Sequence, residues 1–81
     1  MSLKRIPVLD LHGKQKDEVF DLLDRFIREH KDKEQALVVV GKGKGIVKRK
    51  VKEYLKMAHY SWSYEKVRGA VNSGALLVDL Y

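Results

Sequence analysis

Cysteine is absent from this 81-residue chain, which excludes disulfide staples and every metal site built on thiolates. Its three histidines, His12, His30 and His59, are scattered and give zinc little support. No apolar run approaches the roughly 18 residues of a membrane span, and no leader pattern opens the sequence. A soluble, cytoplasmic protein with no membrane partner is expected. Two nucleotide-binding signatures are missing as well. A Walker loop needs two glycines separated by four residues and then Lys-Ser/Thr, because the lysine reaches the outer phosphates and the hydroxyl holds magnesium. The evenly spaced Gly41, Gly43 and Gly45 satisfy neither that pattern nor G-x-G-x-x-G, which weakens a small-anion or nucleotide binder. There is no internal repeat, linker or low-complexity segment.

A chain this short forms one domain, burying roughly 60% of the surface its unfolded form exposes. Residues 1–81 are read as that domain, with 1–6 as a flexible N-terminal extension. The net charge is +6, and its location matters more than its size. Between Gly41 and Lys56 stand Lys42, Lys44, Lys48, Arg49, Lys50, Lys52 and Lys56 against the single acid Glu53. The rest of the chain is balanced, so the whole excess is local, the footprint of a polyanion-binding surface. A solvated helix face is the bland alternative, and the adjoining glycine loop argues against it.

Residues 8–12 alternate apolar and polar, the period of a half-buried strand, which Gly13 ends. Asp10 and His12 then point to the same side. Val19, Leu22, Leu23, Phe26 and Ile27 make one helical stripe over 16–30, with Asp17 and Glu18 at its positive end. Residues 31–35 read as a turn, and 36–40 as a continuous apolar strand of the kind buried in parallel sheets. Val47, Val51, Tyr54, Leu55 and Ala58 repeat at helical spacing. Residues 61–65 and 75–81 read as two final strands, joined by a loop around Asn72-Ser73-Gly74. The order β-α-β-α-β-β predicts an α/β two-layer sandwich, of the α+β kind. Right-handed crossovers make the early strands parallel, giving a mixed four-stranded sheet with both helices on one face.

Ligands of open α/β sheets gather beyond the carboxyl ends of parallel strands, where both marked loops fall, so the two are expected to meet at one sheet edge. Gly41, Gly43 and Gly45 allow positive φ and close backbone approach, so that amides of the turn and the next helix can face a phosphate. Lys42 and Lys44 add mobile charge, and Lys48, Arg49 and Lys52 extend it along the helix. His12 has the chemistry of a general acid or base. Asp10 can orient that imidazole, bind magnesium together with substrate phosphates, or merely hydrogen-bond backbone at the sheet edge. His30 and His59 sit at helix ends, where capping fits them better than metal ligation. Of Tyr60, Trp62 and Tyr64, at least one belongs to the core and two can stack on bases of a single strand.

These residues resemble a known family, the small MutS-related or Smr domain. Its leucine-aspartate-leucine-histidine-glycine motif with a following glutamate is similar to Leu9-Asp10-Leu11-His12-Gly13 with Glu18. Its glycine-basic-glycine turn is similar to Gly41-Lys42-Gly43, and its late glycine-alanine step to Gly74-Ala75. The resemblance covers essentially the whole chain. It departs at Val40, where relatives often carry histidine or threonine, and at Asn72-Ser73-Gly74, where they carry doubled glycine. It implies nucleic-acid binding and an endonuclease that cleaves or nicks RNA or DNA, with His12 and Asp10 at the scissile phosphate and magnesium as the one cofactor to consider. The alternative it leaves open is a non-catalytic module for RNA, branched DNA or the ribosome, which Val40 favours.

Overall fold

A computed structural model describes residues 6–43 and 45–80. The elements follow the expected order: β1 (Val8–Asp10), α1 (Lys16–Glu29), β2 (Gln35–Val39), α2 (Ile46–Met57), β3 (Trp62–Val67) and β4 (Ala70–Asp79). The sheet order is β1-β2-β4-β3. β1 and β2 are parallel, with Leu9 opposite Val38, and both other pairs are antiparallel. The α+β class with a mixed four-stranded sheet holds.

One core cluster joins the layers. Val19, Leu23, Phe26 and Ile27 of α1 and Val51 and Leu55 of α2 bury against Ala36, Val38, Leu76 and Val78 of the sheet. Burying such side chains contributes about 1.5–3 kcal/mol each. The helices also bond directly, Tyr54 donating to Asp24 Oδ1 at 2.9 Å, while the Phe20 and Tyr54 rings meet edge to face at 5.6 Å. β2 is not buried on both sides as expected. Ala36 and Val38 are buried while Leu37 and Val39 are half-buried, because only one face of the sheet carries helices.

The expected loop at Asn72-Ser73-Gly74 is corrected. The hairpin turns at Arg68-Gly69, both with positive φ (51° and 81°), the geometry of a two-residue type I′ turn matched to strand twist. Arg-Gly lacks the asparagine or aspartate that usually marks such a turn. Asn72, Ser73 and Gly74 lie inside β4. Tyr64 pairs with Leu76 but Glu65 with Asn72, so residues 73–75 bulge with no partner on β3. β1 ends at Asp10, two residues early, although Leu11 N–H still donates to Val39 O at 2.7 Å. His30 caps α1 as expected, its Nδ1 at 2.8 Å from Phe26 O. His59 closes α2 with its backbone: at φ 63°, its N–H reaches Lys56 O and that of Tyr60 reaches Leu55 O, the Schellman pattern. Residues 1–5 lie outside the described residues, and so does most of the proposed extension.

Candidate functional site

Leu11, fully buried, anchors the end of β1, and its neighbours therefore face solvent. Asp10 Oδ1 sits 2.6 Å from His12 Nδ1 and also accepts the His12 backbone N–H at 3.0 Å. The same-side expectation holds, and one carboxylate performs both the orienting and the backbone role. A carboxylate at that distance accepts from Nδ1–H, so that in the neutral imidazole Nε2 is the acceptor. The side-chain bond from His12 holds the Asp10 carboxyl below its usual range, helped by the backbone bond and the charges of His12 and Lys14. Both side chains are more than half exposed, so this is an accessible pair.

The second loop is positioned by backbone. Val40 and Gly41 both donate their N–H to Gly74 O, at 2.8 and 3.0 Å. Gly74 in turn donates to Asn72 Oδ1 at 3.1 Å, and Asn72 Nδ2 donates to Glu65 Oε1 at 3.0 Å. The β4 bulge is thus the support of the glycine loop. Gly41 has φ +77°, and a Cβ there would lie 3.3 Å from the His12 Cβ. Only glycine suits both that backbone and the close approach of the two loops. Gly45, at φ 82°, occupies the N-cap of α2 without a side-chain cap, and no acid stands in the first turn. The first helical bond is Arg49 N–H to Gly45 O, 2.9 Å, so the amides before it form the positive end of the helix. Gly43 has no positive φ, unlike the expectation for all three glycines.

Both loops line one cleft of about 650 Å³. His12, Gly41, Lys42, Gly43 and Gly45 meet there, while Asp10 stands behind His12 rather than on the wall. Lys48, Arg49 and Lys52 do not line it, and Lys44 lies outside the described residues. Lys14 and Lys16, which the sequence reading passed over, do line it. Their only signal was two lysines on the heel of the first motif. The cleft therefore draws positive charge from both loops, not from the Gly41–Lys56 segment alone. Asp10, the carboxylate considered for magnesium, uses Oδ1 twice for His12, and no metal-holding group of three His, Asp or Glu occurs among the described residues.

A family model described as the Smr domain matches residues 9–81. The chain is 44% identical over 50 residues to proteins named Endonuclease MutS2 in two strains of Helicobacter pylori, a match spanning 59% of this chain and 7% of each relative. It thus corresponds to a small part of their length. The Smr domain of Thermus thermophilus MutS2 has the same fold, with TM-score 0.81 and 20% identity over 91% of this chain and 96% of that one. The SMR domain of NEDD4-binding protein 2 matches at TM-score 0.78 and 26% identity, covering 100% and 92%. The human small-MutS related domain matches at 0.74 and 27%, covering 90% and 99%.

Proposed function

Because the chain belongs to the Smr domain family, we propose that it binds nucleic acid across this cleft and cleaves RNA phosphodiester bonds there. The observation that carries the reading is the Asp10–His12 contact of 2.6 Å set against Gly41, beside a helix N-terminus with no acid in its first turn. The turn amides, Lys42 and the lysines of the first loop hold the phosphate. His12 Nε2 takes the proton of the ribose 2′-hydroxyl, whose oxygen attacks phosphorus. The bond from phosphorus to the 5′-oxygen breaks, and that oxygen leaves as a hydroxyl by taking a proton from solvent, to which the His12 imidazolium later returns its own. Negative charge on the phosphoryl oxygens develops toward Lys42 and the amides, which stabilise it. Asp10 holds the imidazole in its productive tautomer and favours the imidazolium that forms.

The products would be a 2′,3′-cyclic phosphate and a 5′-hydroxyl end. Incubating the protein with labelled single-stranded RNA and excess chelator tests this, and loss of cleavage in chelator, or a different end, would overturn the route. A specific observation supports a second reading, a binding module for RNA, branched DNA or a ribosomal surface. Val40, only 6% exposed, puts an apolar wall where relatives often carry a polar residue. Tight binding of RNA that is never cut would establish that reading instead.

A further inference from the structure

The two flanks of α2 differ. Toward α1, Lys50 pairs with Glu53 at 3.3 Å and the Tyr54 hydroxyl bonds Asp24, so charge is locally compensated. Toward β3, Lys52 Nζ lies 5.2 Å from the Trp62 ring centroid and 5.3 Å from that of Tyr64, with Lys48 Nζ 5.4 Å above Tyr64. The two rings meet edge to face at 5.1 Å. Among the described residues neither lysine forms an ion pair with a carboxylate. β3 is an edge strand, so Trp62 and Tyr64 pack against the core on one side and reach half-buried to the surface on the other.

Resting on the reading above, we propose that this flank is a track for single-stranded nucleic acid leaving the cleft, with bases stacked on Trp62 and Tyr64 and phosphates on Lys48, Lys52 and Lys56. Those lysines recur every four residues, a rise of about 6 Å, comparable to the step between phosphates of an extended strand. They begin one turn from the Gly45 N-cap that faces the cleft, so one strand can engage both. In the free protein the ammonium groups rest over the rings, where cation–π attraction is weak at exposed sites. A phosphate is the better partner, and the lysine that turns to it uncovers a ring for a base. A duplex cannot use the rings, because its base faces are stacked on each other.

Trp62 is the only tryptophan of the chain, so its emission reports on the track alone. Titrating the intact chain with a 12-nucleotide oligouridylate and, separately, with an RNA duplex, while following both Trp62 emission and affinity, tests the proposal. The single strand should quench Trp62 and the duplex should bind without quenching. Tyr64→Leu should weaken single-strand affinity by about 5- to 150-fold and leave duplex affinity unchanged, whereas Tyr64→Phe, which keeps the ring, should retain both. Single-strand binding with undisturbed Trp62 emission and full affinity in Tyr64→Leu would overturn the track and leave the cleft reading standing. No binding of either nucleic acid would overturn both.

Discussion

The cleft has two walls built from the same unit, a strand, a turn and a helix, and they are finished in opposite ways. On the β1–α1 wall the backbone is served by side chains: Asp10 takes the His12 amide, and the Glu18 carboxylate accepts the Gln15 N–H at 3.0 Å. Asp17 and Glu18 already sit at that helix's positive end. On the β2–α2 wall the helix begins at a left-handed glycine with neither acid nor side-chain cap, and the loop before it hangs from Gly74 O. The first wall satisfies itself and holds an imidazole in place, while the second ends in a helix start with no side-chain cap. Under the proposed function, the chemistry falls to one wall, while the other is left to grip together with the lysines of the first loop.

The sharpest way to break that division is to remove the imidazole. His12→Ala should lower RNA cleavage by about 100- to 10,000-fold, the range of acid-base groups, while affinity measured by fluorescence anisotropy stays nearly unchanged. Equal loss of affinity would show that the imidazole itself grips the phosphate. Asp10→Asn should reduce the rate less and alter its acid limb. The Asp10 carboxyl is held low chiefly by the His12 bond, so what the ionised pair contributes to stability is present above the ordinary carboxylate range and lost as pH falls through its lowered value.

Grip should respond on the other wall. If about four phosphates are neutralised, log affinity for a single strand should fall against log salt with a slope near −3, and Lys42→Gln should flatten it by about 0.7. Cleavage at saturating RNA should fall as well, because Lys42 also faces the charge that develops on the phosphoryl oxygens. An unchanged slope would place the phosphates elsewhere.

A smaller effect tests the self-sufficiency of α1. Glu18→Ala removes its N-terminal bond and should cost about 1 kcal/mol in denaturant unfolding without weakening RNA binding. Smaller still is an effect at high pH, away from both walls. Burial first, then the bond to Asp24, pushes the Tyr54 hydroxyl up to about 12. The stability it contributes is intact below the ordinary value near 10 and lost as pH rises through about 12. Tyr54→Phe should flatten that alkaline decline in a pH series of thermal unfolding.

How much of this was readable in the chain differs along its length. The helices and early strands were legible because their apolar residues keep strict periods, and both loops were legible because Leu9-Asp10-Leu11-His12-Gly13 and Gly41-Lys42-Gly43 are contiguous. Topology alone then implied their meeting. The Arg68-Gly69 turn was hidden because arginine seldom adopts positive φ, and Asn72-Ser73-Gly74 misled because turn residues also build bulges. Lys14 and Lys16 were overlooked because a linear tally of charge cannot see that the first loop folds over the second. Lys48 and Lys52 are legible as charge carried along the second helix, but their place beside Trp62 and Tyr64 is not, because linear spacing does not show which strand a helix flank faces.

The carbonyl of Gly74 has a consequence in time as well as in space. The glycine loop leaves β2 in the middle of the chain, but what fixes it arrives with β4, after both helices and the hairpin. A contact between such distant segments forms late, since the closing chain entropy must be overcome before it is rewarded. During synthesis or refolding the earlier segments can therefore form α1, with Asp10 and His12 beside it, while the phosphate-holding wall is still unset. The proposed grip should therefore depend on completion of the sheet, and a chain ended before β4 should lose the carbonyl that holds the glycine loop.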